Sequence, residues 1–124
     1  EATVHHSING SFSIRQGRWK LALCPGSGGW SEPRPGRTDF SGQAAVQLFD
    51  LGSDVGETTN LAPQHPAVVK KLTALLQSYA DRGRSTPGPK QSNTGAVDIW
   101  KAGRASYAAR PPVRKAKPAP KKKP

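Results

Sequence analysis

VQLFDLGSDVGETTNLA, residues 46–62, is a stretch in which a short apolar run ends in an acidic turn that leads toward a helix. The apolar run predicts a short strand at residues 45–50, and the turn formers that begin at Asp50 end it promptly. The side chains of Asp50, Asp54 and Asn60 can accept hydrogen bonds from backbone N–H groups that follow them. The stretch therefore predicts a strand, a turn built by its own side chains, and then a helix.

Residues 11–24 predict a β-hairpin that precedes this strand. Apolar residues alternate with polar ones on both sides of Gln16 and Gly17, with the period of two that paired strands require. We predict that Gln16 and Gly17 form the two-residue turn, with the glycine at its second position. The face opposite the apolar one is basic, and we interpret it as a solvated surface. Its cationic residues are Arg15, Arg18 and Lys20.

The segment from Pro66 to Arg82 predicts an amphipathic helix. Proline is tolerated at the first helical position, and Gly83 fits the position just after the last turn. Apolar residues recur at the spacing of one helical face, which suits packing against a sheet. They are Val68, Val69, Leu72, Leu75, Leu76 and Tyr79. Further along, Ile99 and Trp100 are expected to fold back on this body as an anchor.

Together these elements predict an α+β fold, in which a small antiparallel sheet of three to four strands packs against one amphipathic helix. The net charge of +11 divides the chain in two. Residues 1–100 hold ten Lys and Arg against eight Asp and Glu, whereas residues 101–124 hold nine Lys and Arg and no acid. We expect this second region, rich in Lys, Pro and Ala, to be a disordered basic tail.

The basic tail keeps a different function open for the chain. A run of cations binds polyanions through neutralisation of phosphate or sulfate groups and release of counterions. The alternative is therefore a small nucleic-acid- or polyanion-binding protein that acts through its Lys/Pro tail. No apolar run approaches the roughly 18 residues that a membrane span needs. A single cysteine, Cys24, permits no internal disulfide.

Two motifs in the same order resemble arylsulfatase-type sulfatases of the alkaline-phosphatase-like superfamily. Arg15 to Leu21 is similar to the family's R-x-G-x-W-K-L hairpin. Leu48 to Leu61 is similar to its L-Y-D-L-x-x-D-P-x-E-x-x-N-L segment, with Val55 where proline is usual. The resemblance covers roughly residues 1–100 and implies the C-terminal subdomain of a sulfatase, present as a fragment. Since the chain has no methionine, we expect Glu1 to lie inside a longer protein.

The resemblance also implies what the whole enzyme would be. Its parent would hydrolyse sulfate esters with a formylglycine nucleophile and a calcium ion, and would be periplasmic or secreted. This fragment would pair with the N-terminal catalytic domain of the same parent and would be inactive alone. The formylglycine arises from the Cys of a Cys-x-Pro-x-Arg motif, which Cys24, directly followed by Pro25, does not match. We therefore predict no catalytic residue and no metal ligand in this chain.

The carboxylates of the turn and the histidines are also candidates for catalytic or zinc-binding groups. Asp54 and Glu57 form a carboxylate pair, but nothing apolar surrounds them, so we assign them a structural role. His65 stands too far from the other two histidines for the spacing of a zinc site.

Three residues are predicted to contact substrate in the intact enzyme. His5 and His6 precede the hairpin, where one of them could hydrogen-bond the substrate, and Trp30 ends a Gly-rich loop that begins at Cys24. Trp30 could stack on a sugar ring, although a simple connector is an equal interpretation of the loop. Strand pairing should bring the two histidines and the start of this loop to the same edge of the sheet. That edge is the predicted rim of the pocket.

Overall fold

The computed structural model describes residues 1–8, 10–29, 31–34, 39–40 and 42–100. Trp30 and the basic tail from Lys101 to Pro124 lie outside the described residues. Within the described ranges the chain forms four strands and one helix. They are β1 (Thr3–His6), β2 (Phe12–Gln16), β3 (Trp19–Ala22), β4 (Gln47–Asp50) and α1 (Pro66–Arg82).

The four strands form one antiparallel sheet in the order β1-β2-β3-β4. The predicted α+β class, a sheet of three to four strands with one helix, is confirmed. His5 and His6 end β1 and so precede the hairpin of β2 and β3, as predicted. The fourth strand is thus supplied by the residues that carry the predicted site.

The register places the apolar residues of neighbouring strands opposite one another. Ile14 pairs with Leu21, and Leu21 pairs with Leu48, and all three side chains are fully buried. Leu72 and Leu76 of α1 complete the same cluster. The core therefore lies between one face of the sheet and the apolar stripe of the helix. Burial of such side chains stabilises the fold by about 1.5–3 kcal/mol each.

The hairpin turn is one residue later than predicted. Gln16 pairs with Trp19, so Gly17 and Arg18 form the two-residue connection. Gly17 has φ of +58° while Arg18 is not among the residues with positive φ. A glycine with positive φ at the first central position is typical of a type II′ turn, whose twist matches the flanking strands. The prediction erred because Gln16 has a partner in the ladder.

The helix ends are built as the sequence indicates. Pro66 occupies the first turn, where its missing N–H has no helical acceptor. Gly83 is left-handed, and its N–H donates to the carbonyl of Ala80. After the helix the chain returns to the body, where Ile99 is buried in the main core and Trp100 packs against it. The predicted anchor is confirmed. No helix among the described residues is long and apolar enough to span a membrane.

Candidate functional site

The face of the sheet that points away from the helix forms the floor of a cavity of about 540 Å³. This volume lies in the range of small-molecule sites, about 300–1,000 Å³. The register aligns one cross-strand row there, because directly paired residues point to the same face. That row consists of His5, Ser13, Ala22 and Gln47. Lys20 and Phe49, paired in the next row, also line the cavity.

Gln47 attaches the Gly-rich loop to the sheet. Its side-chain amide donates to the carbonyl of Cys24 at 2.7 Å and to that of Gly26 at 3.0 Å. Gly26 has φ of +59°, and a Cβ there would clash with the ring of Phe40. The glycine thus lets the loop pack on a small apolar cluster formed by Ala22, Cys24 and Phe40. The first part of the loop is held in place as one wall of the cavity.

Lys20 and Glu57 line another part of the cavity. The Lys20 ammonium donates to the Glu57 carboxylate at 2.5 Å, and both side chains are partly buried. Glu57 adopts φ of +54°, which non-glycine residues seldom do. The interpretation of Arg15, Arg18 and Lys20 as a solvated basic surface is therefore wrong for Lys20. Lys20 is paired and partly buried in the cavity, whereas Arg18 binds Asp50 with a side chain that stays 59% exposed.

The acidic turn is organised by its own side chains, as predicted. Asp54 accepts from the N–H groups of Thr58 and Thr59, and these bonds hold the pKa of its carboxyl below the usual range. Asn60 accepts from the N–H of Ala62, as expected, and also from that of Leu48 in β4. Asn60 thereby joins the strand to the approach of the helix. The structural role predicted for Asp54 and Asn60 in this turn is confirmed.

The two predicted histidines and the loop do meet at one cavity. His5, His6 and residues of the Gly-rich loop all line it. The two rings differ in orientation, because His5 is paired with Ser13 on the cavity face, while His6 is paired with Phe12. The rings of His6 and Phe12 lie 4.6 Å apart. Trp30 lies outside the described residues, so its contact with a ligand stays a prediction.

The lining residues that were not predicted as site residues include Ser13, Lys20, Gln47 and Glu57. Alternation within each strand could have placed the first three on the face away from the core. Their meeting depends on the register between strands, which a period of two does not specify. Glu57 comes from the turn, and only the tertiary structure brings it over β3.

The chemistry of the lining is that of a binding site. Among the described residues no group of three His, Cys, Asp or Glu side chains could hold a metal ion. Cys24, the single cysteine of the chain, is buried. The lining offers hydroxyl, imidazole, amide, ammonium and carboxylate groups, with Phe49 beside them. This set suits recognition of a polar ligand by hydrogen bonds.

Comparison with known proteins points to one class of enzyme. No protein-family model matches the chain. An N-acetylgalactosamine-6-O-sulfatase of Bacteroides thetaiotaomicron is 32% identical over 85 residues, which is 66% of this chain and 16% of that protein. Arylsulfatase K of Xenopus laevis is 38% identical over 58 residues, which is 47% of this chain and 11% of that protein.

A solved structure from work on the metabolism of multiple glycosaminoglycans by Bacteroides thetaiotaomicron is 31% identical to the chain. Its TM-score is 0.48, and the match covers 63% of this chain and 16% of that one. The curated relatives confirm the resemblance to sulfatases and support a sulfatase fragment. The chain spans less than a fifth of either curated relative.

Proposed function

We propose that this chain is the C-terminal subdomain of a sulfuric ester hydrolase, where it supplies scaffold and part of the rim of the substrate pocket. The similarity to an N-acetylgalactosamine-6-O-sulfatase carries the proposal, because it extends over 66% of the chain. The polar cavity beside His5 and His6 gives that subdomain a surface for substrate. The partner is the N-terminal catalytic domain of the same parent enzyme.

The catalytic groups of such a parent are assigned to that partner. Cys24 lacks the Cys-x-Pro-x-Arg context and is buried, so it does not fit the formylglycine position. The described side chains contain no cluster that fits calcium. The chain's own residues would therefore bind and orient a sulfate ester, while the partner would carry out its hydrolysis.

Hydrolysis by the isolated chain is the first test. We expect residues 1–124 to show no turnover of an aryl sulfate or of N-acetylgalactosamine 6-sulfate in the presence of calcium, because the nucleophile lies elsewhere. The readout is released sulfate, with an intact sulfatase as the positive control. Sulfate release above background from the purified chain would show that catalysis does not require the proposed partner.

A chimera provides the second test. The segment of the Bacteroides sulfatase that aligns with this chain is replaced by the corresponding residues of the chain. We expect a folded chimera that hydrolyses N-acetylgalactosamine 6-sulfate, because the grafted sheet would present the same rim. A chimera that folds but binds and hydrolyses no sulfate ester would contradict the role as a sulfatase subdomain.

The histidines are tested in that chimera. His5→Ala should lower kcat/KM by a factor that corresponds to about 1.5–3 kcal/mol, the value for a lost hydrogen bond to a charged group. His6→Ala should cost less, because its ring packs on Phe12. Thermal stability should change little for His5→Ala, since that residue is exposed. Equal kinetics in wild type and both variants would reduce this part of the chain to scaffold.

Polyanion binding by the tail remains the second candidate function, favoured by the segregation of charge. Residues 101–124 hold nine cations and no acid. The logarithm of the binding constant for duplex DNA or heparin should fall linearly with the logarithm of the salt concentration. Binding should vanish on deletion of 101–124. Sequence-selective DNA binding that survives this deletion would instead favour a nucleic-acid-binding function of residues 1–100.

A further inference from the structure

We propose that the cavity binds the uncharged, hydroxyl-bearing ring of a sugar, with Lys20 and Glu57 engaging two neighbouring hydroxyl groups. This assignment rests on the proposed sulfatase function, and it names the part of the substrate that the site recognises. The sulfate group itself would be held by the catalytic partner.

The ion pair supplies complementary hydrogen-bonding groups side by side. An ammonium has three donors and a carboxylate has several acceptor positions, so one mutual bond leaves capacity on both groups. Both side chains are intermediate in exposure, 27% for Lys20 and 33% for Glu57, and both line the cavity. Neighbouring hydroxyls can each donate and accept. One can therefore donate to Glu57 while the other accepts from Lys20.

The backbone of Glu57 indicates that this side chain is held there at a cost. A left-handed conformation at a non-glycine residue is strained and tends to occur at functional sites. The turn does not need the Glu57 side chain, because Asp54 and Asn60 make its stabilising bonds. Glycine at position 57 would relieve the strain. The carboxylate at this position thus has a use other than local stability.

The charge of the cavity favours an uncharged ligand. Lys20 is the only Lys or Arg in the described part of the lining, and its ammonium is already bonded to Glu57. An anion would have to compete with Glu57 for Lys20. A polyol can instead bond to both partners.

The remaining lining matches the other features of a sugar ring. Phe49 is the cross-strand partner of Lys20 and is only 5% exposed, and the small part of it that lines the cavity is apolar and can meet ring C–H groups. His5 and Ser13 lie opposite each other in the next row, where they can bond further hydroxyls. Gln47 holds the loop wall in place. The paired strands of the sheet hold these lining residues in place before a ligand binds.

The test is a titration of the 15N-labelled 124-residue chain with N-acetylgalactosamine and with its 6-sulfate, followed by amide shifts. We expect saturable shifts at residues around the cavity with both sugars at similar affinity. Glu57→Gln and Lys20→Met should each raise Kd about tenfold, since each removes a charged hydrogen-bonding group. Arg15→Gln is the matched control, because Arg15 is the β2 partner of Lys20 yet does not line the cavity.

Glu57→Gly separates binding from folding. It relieves the backbone strain and removes a partly exposed ion pair of small energetic value. Its Tm should therefore be equal to or above that of the wild type, while its Kd for the sugar rises about tenfold. A purely structural role of the pair would instead lower Tm and leave affinity unchanged.

The outcomes distinguish this inference from the proposed function. Absence of saturable shifts, binding of the sulfated sugar alone, or unchanged affinity in Glu57→Gln would overturn the assignment of the sugar ring. An active chimera combined with any of these results would leave the sulfatase role intact. Sugar binding by the chain together with an inactive folded chimera would overturn the sulfatase role instead.

Discussion

Asp50 shows how a single residue of the turn is stabilised. It ends β4, is largely buried, and accepts hydrogen bonds from the Arg18 guanidinium and from the N–H of Gly52. The bond from Arg18 is the main reason that the pKa of Asp50 is lowered from 3.8 to about 2, with that of Gly52 adding to it. The charged carboxylate therefore belongs to the folded state.

This pKa predicts how stability depends on acidity. Because the folded value lies below 3.8, the contribution of Asp50 is complete above that pH and is lost as pH falls toward about 2. We expect the Tm of the chain to fall over this interval. Asp50→Asn should lower Tm at neutral pH and flatten the fall, as followed by circular dichroism.

A matched variant identifies the source of the effect. Asp54 also has a lowered pKa, caused by backbone bonds from Thr58 and Thr59. Asp54→Asn should therefore remove a separate part of the acid sensitivity. An Asp50→Asn protein with the same acid-induced fall as the wild type would show that Asp50 does not contribute to it.

The C-terminus of α1 shows how an element is ended by one residue. Gly83 has φ of +67°, and its N–H completes the last turn. A Cβ at this position would clash with the carbonyl oxygen of Gln91. The returning chain thus packs against the glycine. Termination of the helix and docking of the following segment depend on the same missing side chain.

Three glycine variants separate these two effects. Gly17→Ala places a Cβ in open space at positive φ and should cost about 1–2 kcal/mol of unfolding free energy. Gly83→Ala should cost more, because the clash with Gln91 adds to the same backbone strain. Gly95→Ala meets no atom and has no positive φ, so its effect should stay within about 0.5 kcal/mol. Urea unfolding measures all three, and equal costs for Gly83→Ala and Gly95→Ala would contradict this account.

In the molecule as a whole, one face of the sheet forms the main core and the other forms the cavity. One face packs on α1 and is completed by Ile99, which is only 2% exposed. The other face carries the cavity and a small apolar cluster under the Gly-rich loop. The main core thus depends on a contact between the end of the described chain and elements far earlier in sequence.

Ile99→Ala tests this long-range contact. Truncation of a buried isoleucine should lower the unfolding free energy by about 2–5 kcal/mol, because it leaves a cavity in the core. Val97→Ala is the control, since Val97 is 38% exposed and should change stability by no more than about 0.5 kcal/mol. Denaturant midpoints provide the measurement. Similar small losses in both variants would show that the chain folds without this anchor.

Local patterns in the sequence predict much of the fold. The apolar stripe of residues 66–82, together with Pro66 and Gly83, indicates the helix because its determinants lie within one segment. Alternation around Ile14 and Leu21 likewise indicates which strand face is buried. Asp54 and Asn60 bond to nearby backbone, so their role could also be inferred from the sequence. The sulfatase resemblance followed from two motifs in these same segments.

Only the tertiary structure decided what depends on register and on distant contacts. The predicted two-residue turn was Gln16 and Gly17, whereas the observed one is Gly17 and Arg18. The register also placed His5 rather than His6 on the cavity face. The tertiary structure also brought Lys20 to Glu57, which lies 37 residues further along the chain. Periodicity is local and tells which residues share a face of one strand. The residues that meet across strands are determined by register and by the packing of the whole sheet.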